Sequence, residues 1–206
     1  MELTDYRNYI FDLGGVIIDI DMDIVRQGLI DLGIGRLRQF FYARKIEERI
    51  ELYQTGRLTT QQFCQEVCSH CKPGTSPEMV RQVWNSVDLG TTPQRLQKLK
   101  DLRAAGHQVY LLSNINDMHW THMAQHDFID LGFPPQDCFH RIFLSHEMGL
   151  SKPSRQIFEE VIRQTGVDPT QTLFLDDTRE NLASARSVGL STFHVQRNTG
   201  NWLTEL

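Results

Sequence analysis

The run Tyr9-Ile10-Phe11-Asp12-Leu13-Gly14-Gly15-Val16-Ile17-Ile18 limits the fold more than any other part of the chain. Apolar residues lead into a carboxylate, and the paired glycines then let the backbone turn sharply. A strand this apolar is buried on both faces and belongs to a parallel sheet. In open α/β sheets, ligands bind just beyond the carboxyl ends of the strands. Asp12 therefore stands where chemistry is expected, next to the backbone amides of the turn. A strand-Asp-Gly signal alone fits a solvated strand end equally well, so the remaining sequence has to decide.

From about Asp21 to Asp88 the apolar spacing is helical throughout. Ile24, Val25, Leu29 and Leu32 mark one helix up to Gly33, and Leu37, Phe40, Phe41, Ile46, Ile50 and Tyr53 a second up to Gly56. Thr59 reads as the N-cap of a third, carrying Phe63, Val67 and Cys71, and Ser76-Pro77-Glu78 opens a fourth with Met79, Val80, Val83 and Trp84. After Thr92, helices alternate with short apolar strands near 109–112, 142–144, 172–175 and 191–195. That order makes βαβ units and a parallel sheet, which the first strand must join because it cannot stand alone. The expected fold is α/β: a Rossmann-like parallel-sheet core over 1–18 and 91–206, with an inserted α-helical bundle over 19–90.

Bulk properties exclude several classes. With 206 residues there is room for one core and a small insert. The formal net charge of −5 argues against nucleic acid or an anionic membrane as partner. No apolar run reaches the length of a membrane span, and the opening Met1-Glu2-Leu3-Thr4-Asp5 is no signal peptide, so the cytoplasm is the expected compartment. Cys64, Cys68 and Cys71 lie at i, i+4, i+7, which is one helix face; a zinc site would need a further ligand pair, and Cys138 alone does not supply it.

Four strand ends carry polar groups: Asp12, Ser113-Asn114, Lys152-Pro153 just after the strand near 142–144, and Asp176-Asp177. Each alone is a common turn or helix cap. Together they place a nucleophilic carboxylate, a hydroxyl-amide pair, an ammonium and a tandem acid along one sheet edge. A phosphate monoester asks for this set. Mg²⁺ takes one or two carboxylates plus substrate oxygen and water, and it offsets the repulsion between a carboxylate and a phosphoryl dianion. Lys152 and the donors at Ser113 and Asn114 suit the remaining phosphoryl oxygens. Carboxylate attack gives an aspartyl-phosphate that water cleaves.

These motifs, Phe11-Asp12-Leu13-Gly14-Gly15-Val16, Leu112-Ser113-Asn114, Lys152-Pro153 and Phe174-Leu175-Asp176-Asp177 with Asn181, Ala185 and Gly189, resemble the haloacid dehalogenase superfamily over nearly the whole chain. Within it the sequence is most similar to the group that includes bacterial α-D-glucose-1-phosphate phosphatase and the phosphatase domain of soluble epoxide hydrolase. The resemblance implies a Mg²⁺-dependent phosphatase acting on a small phosphorylated metabolite, a sugar phosphate in first place, with the helical insertion as a type 1 cap. It implies that Asp12 is the nucleophile and a metal ligand, and that the Gly14 carbonyl, Asp177 and Asp176 complete the protein's metal ligands. Ser113 and Asn114 would bind phosphate, and Lys152 would pair with both phosphate and Asp12.

One position departs from the family pattern. Most phosphatases of this kind carry a second Asp two residues after the nucleophile, as general acid and base; here Gly14 stands there. Loss of such a group costs roughly 10²–10⁴ in rate, so slow turnover is expected unless another group substitutes. Asp19, Asp21 and Asp23 lie near enough in sequence to be candidates, and helix capping is their plainer role. His119, His122 and His126 share one predicted helix face as a possible acid or metal set, against ordinary half-buried histidines. Trp120, Trp84, Phe40, Phe41 and Tyr42 would line a sugar pocket or pack the core. Two other functions compete: a metal-free 2-haloacid dehalogenase, which Asp176-Asp177 opposes by repulsion with Asp12, and a phosphate-binding protein without turnover.

Overall fold

A computed structural model describes residues 5–34 and 48–206. Phe40, Phe41 and Tyr42, with Leu37 and Ile46, lie outside the described residues. The chain runs β1 (Asn8–Phe11), β2 (Asp19–Ile20), α1 (Met22–Asp31), α2 (48–54), α3 (Thr60–Ser69), α4 (Pro77–Asn85) and β3 (Asp88–Gly90). It continues with α5 (Pro93–Ala104), β4 (Gln108–Ser113), α6 (Asp117–Met123), a π-helical stretch (Ala124–Ile129), α7 (Pro135–Cys138), β5 (Arg141–Leu144) and α8 (Ser145–Met148). Then follow α9 (Arg155–Thr165), β6 (Thr172–Asp176), α10 (Arg179–Ser187), β7 (Ser191–His194) and α11 (Trp202–Glu205).

Five strands form one sheet in the order β5-β4-β1-β6-β7, and every pairing is parallel. β1 sits at its centre, bonded to β4 on one side and β6 on the other. Alternation along β1 assigns its side chains to two cores. Ile10 joins Tyr110, Leu112 and Phe174 against Ile157, Phe158 and Val161 of α9 and Leu182 and Ala185 of α10. Tyr9 and Phe11 face the other way, toward Leu96 and Leu99 of α5 and Trp202, in a core that runs on into Tyr53, Phe63, Val80 and Trp84. The α/β fold expected from the sequence is the one found, and the helical insertion shares a continuous apolar core with the sheet.

The helices start where the sequence marks them. Thr59 and Gln62 form a reciprocal capping box at α3, and the Ser76 hydroxyl accepts from Met79 N ahead of Pro77 in α4. Two features differ from the sequence reading. The all-helical segment is bounded by β2 and β3, which pair antiparallel, Asp19 opposite Gly90 and Ile20 opposite Asp88. Strands of two and three residues are too short to carry a periodic signal. The helix after Asn116 changes to π geometry at Ala124, which breaks the i, i+3, i+7 register assumed for its histidines. No helix among the described residues is long and apolar enough to cross a membrane.

Candidate active site

β1 ends by handing Asp12 to the sheet edge. Asp12 N donates to Leu175 O at 2.9 Å, extending the ladder toward β6, and the Leu13 amide turns back to Asp12 Oδ1 at 2.7 Å. The chain then closes a tight turn in which Gly15 N bonds Ile18 O and the amides of Ile17 and Ile18 both reach Leu13 O. Gly15 is required here. Its φ is +78°, and a Cβ would lie 2.6 Å from Asp177 Oδ2. The outward carbonyls of the turn are held as well: Val16 O by the Trp202 indole at 3.0 Å, and Ile17 O by Thr91 Oγ1 and by buried Arg95 at 3.1 Å. Sequence spacing gave no hint of Thr91, Arg95 or Trp202, because each arrives from a distant element.

Lys152 is the centre of the charge network. Its Nζ lies 2.8 Å from Asp12 Oδ1 and 2.8 Å from Asp176 Oδ2, with a further bond to Leu112 O at 3.1 Å. The ammonium is almost fully enclosed, with 1% of the side chain exposed. Burial by itself would lower its pKa, but Asp12 and Asp176 outweigh that and raise it above the ordinary lysine value. Asp12 is raised to about 7, chiefly by burial, with Lys152 opposing the rise and Asp176 adding to it. Asp176 is held by Lys152, by Thr178 N at 2.7 Å and by Asn181 Nδ2 at 3.0 Å from both of its oxygens. Asn181, one of the residues following the last motif, thus acts by holding Asp176.

The other expected residues are also at this edge. Ser113 ends β4 opposite Leu144 and is almost buried. Asn114 grips the main chain of Lys152 in both directions: its Oδ1 accepts from Lys152 N and its Nδ2 donates to Lys152 O, each at 2.8 Å. Its side-chain amide is therefore committed to Lys152, which precedes a cis peptide bond to Pro153. Gly14 bridges to Ile18 beside Asp12, and a Cβ there would come within 3.0 Å of Ile20 Cδ1. Asp177 has a side chain 4% exposed, yet its partner Arg197, 2.5 Å away at Nε, is 55% exposed.

Asp12, Asp176 and Asp177 each offer a carboxylate oxygen, and these oxygens lie within 4.8 Å of one another, the one such group of His, Cys, Asp or Glu among the described residues. These are the hard oxygen donors Mg²⁺ takes, and an ion holding them at about 2.1 Å would draw the oxygens to roughly 3–4 Å from one another, inside the 4.8 Å bound found. Lys152 offsets one of the three negative charges and Arg197 a second at the rim, which leaves a single negative charge; a dication would turn this into a net positive charge, a field suited to a phosphoryl dianion.

The remaining candidates are occupied elsewhere. Asp19 pairs with Arg95 at 2.6 Å, Asp21 caps α1 through Asp23 N at 2.8 Å, and Asp23 pairs with Arg26 at 2.8 Å. His119 bonds Trp84 O at 2.9 Å, His122 approaches Asp88 at 3.3 Å, and His126 pairs with Asp130 at 3.0 Å. Trp84 packs between Phe63 and His119 in the core, and partly buried Trp120 packs on Phe128 at its edge. All four cysteines are free, and burial raises each thiol above its ordinary pKa.

Comparison with known proteins agrees with this geometry. The chain is 33% identical to a D-ribitol-5-phosphate phosphatase of Bacteroides thetaiotaomicron, over 97% of this chain and 96% of that protein. Among solved structures, a HAD family enzyme of the same organism superposes with a TM-score of 0.88 at 28% identity, covering 96% of this chain and 98% of that one. The same enzyme solved with magnesium and inorganic phosphate gives 0.82 at 28% identity over the same shares of both chains. Residues 6–189 match the family model for a haloacid dehalogenase-like hydrolase. On that match the chain belongs to the haloacid dehalogenase-like hydrolases.

Proposed function

We propose that this protein is a Mg²⁺-dependent phosphomonoesterase for small polyol or sugar phosphates, with D-ribitol 5-phosphate the first substrate to try. The observation that carries this reading is the meeting of Asp12, Asp176 and Asp177 within 4.8 Å around buried Lys152. The name of the 33% identical relative supports the substrate class.

Asp12, Asp177 and the Gly14 carbonyl would hold Mg²⁺, with Asp176 reaching it directly or through water. Bound there, the ion supplies positive charge against the phosphoryl oxygens and the attacking carboxylate. An Asp12 oxygen attacks phosphorus, the bond from phosphorus to the ester oxygen breaks, and the alcohol leaves with a proton. Water then cleaves the aspartyl-phosphate, returning Asp12 and releasing inorganic phosphate. Lys152 keeps one Asp12 oxygen fixed and presents its charge to the phosphoryl group, and Asn114 fixes Lys152 by its main chain. Ser113 supplies a donor at the adjacent strand end. Asp176 orients Lys152.

Segment 19–90 acts as a cap over a core made of 1–18 and 91–206, with the β2–β3 ribbon at the two crossings. With glycine at position 14, and with Asp19, Asp21 and Asp23 all engaged in other bonds, none of these three is free to act as the carboxyl donor to the leaving alkoxide. Turnover is accordingly slow. The enzyme works in the cytoplasm, where its four free thiols stay reduced; its acidic charge fits a free metabolite rather than nucleic acid.

The test is phosphate release from a panel of polyol, sugar and glyceraldehyde phosphates with Mg²⁺, with EDTA and an Asp12→Ala variant as controls. Release that needs both Mg²⁺ and Asp12 is expected. No release above background from any ester favours a phosphate-binding protein without turnover. Halide release from a 2-haloacid in EDTA would instead make it a dehalogenase.

A further inference from the structure

Asn198 lies far from Asp12 in sequence, yet it connects the two halves of the molecule. It is the one non-glycine residue with positive φ among those described, at 61°, in a region asparagine enters at small cost. Held in this way, its side-chain amide faces the backbone of β2. Ile20 N donates to Asn198 Oδ1 at 3.0 Å, and Asn198 Nδ2 donates to Ile20 O at 2.8 Å. Its own amide reaches back to Gly15 O at 3.0 Å, in the turn that follows Asp12.

The neighbouring bonds fix this loop to the site. Arg197 carries the pair with Asp177, and Thr199 Oγ1 donates to Gln196 O at 2.6 Å while Asn201 Oδ1 accepts from Gln196 N at 3.1 Å. Ile20 in turn covers Gly14: its Cδ1 lies 3.0 Å from where a Cβ on residue 14 would stand. Asn198 therefore ties the nucleophile turn to Ile20 of the short strand through which the chain enters the helical segment, beside the Arg95 bridge between Ile17 O and Asp19.

We propose that Asn198 is a positioning residue: it locks β2 to the Gly14-Gly15 turn and so sets where the helical segment rests over a substrate. It acts on that segment's placement and touches no reacting atom. The inference rests on the phosphatase reading for its catalytic consequence, and on geometry alone for the lock.

The variant to make is Asn198→Gly, which accommodates the positive φ and removes the side-chain amide. Two measurements decide. Hydrogen exchange at the Asp21 amide, which donates to Val87 O across the ribbon, should quicken at least tenfold while the Phe11 amide of β1 is unchanged. The specificity constant for D-ribitol 5-phosphate should fall at least tenfold more than that for p-nitrophenyl phosphate, whose aryl group offers no hydroxyls to the helical segment, and the fall should appear in KM. Unchanged exchange at Asp21 overturns the lock. Equal losses on both esters, or none on either, overturn the positioning role, since a structural defect lowers the active fraction for every substrate alike. If the wild-type enzyme hydrolyses neither ester, the phosphatase reading fails and the exchange result alone decides the lock.

Discussion

Two sets of aspartates lie close together in this protein and have opposite fates. Asp12 at the end of β1 and Asp176 and Asp177 at the end of β6 are almost enclosed, and bring their oxygens within 4.8 Å of one another. Asp19, Asp21 and Asp23 follow one another in sequence, yet each is tied to a different partner: Arg95, the first turn of α1, and Arg26. Residue type is the same and sequence proximity favours the second set. What separates them is that the sheet forces the first set into one poorly hydrated space, where like charges cannot relax apart. Carboxylates spaced along a chain entering a helix find local donors and are neutralised singly. Convergence under burial, not the count of acids, marks the site.

The sharpest way to break this contrast is to neutralise one member of the first set. Asp12→Asn keeps the shape and removes the nucleophile, so phosphate release should fall by roughly 10⁴-fold or more, measured at saturating Mg²⁺. A variant retaining a tenth of wild-type turnover would refute the assignment. Lys152→Met should act mainly on folding. It leaves Asp12 and Asp176 enclosed without their shared cation, and removal of one partner from a buried ionic group costs about 3–5 kcal/mol. Urea unfolding should show that loss, with Mg²⁺ restoring part of it because a dication replaces the missing charge. A loss under about 1 kcal/mol would mean the network is far more hydrated than its burial indicates.

The sequence made the first set legible because each motif ends an apolar strand, and a parallel sheet has only one edge where such ends can meet. The order of strands with helices likewise fixed the α/β class. The supporting bonds were not legible. Arg95 and Trp202 hold the turn after Asp12 through backbone carbonyls, and a carbonyl has no sequence signature. Asn198 works through its φ and both ends of its amide, and nothing in Arg197-Asn198-Thr199 announces that. Asn114 stands at a motif position expected to supply a phosphate donor, whereas its side chain is spent on Lys152; motif position identifies the residue but not which way its amide points. The ribbon β2–β3 is too short to leave a periodic signal in the sequence.

His119 tests the boundary between the sheet and the helical segment. Its ring sits between Asn116 and the Trp84 carbonyl, and burial lowers its pKa to about 4 from 6.5. A neutral ring donates to Trp84 O, and the unfolded chain binds the proton more readily. Stability is therefore unaffected above pH 6.5 and declines as the pH falls from 6.5 toward 4, by a total of roughly 2–3 kcal/mol. His119→Gln, which can still donate to Trp84 O, should flatten the difference between unfolding curves at pH 7 and pH 5. If the wild-type and variant curves shift in parallel, the ring is solvated and the junction is open to water.

The smallest effect expected comes from the second set, and it is the most informative about the contrast. Asp21 accepts from Asp23 N at an exposed helix start, so Asp21→Ala should cost about 0.5–1 kcal/mol in thermal or urea unfolding and leave turnover within twofold. Asp21→Asn, which preserves an N-cap acceptor, should cost still less. The pair separates capping from proton transfer, because a cap tolerates the amide and a proton carrier does not. If Asp21→Asn lost tenfold in kcat with unfolding unchanged, Asp21 would be carrying the proton that Gly14 cannot, and an acid tied to its own helix in the resting structure would have to swing over the site during turnover. Full activity in both variants would instead leave solvent as the proton source for the leaving alcohol. Turnover across a series of esters should then rise as the pKa of the leaving alcohol falls, a dependence that an enzymatic acid would flatten.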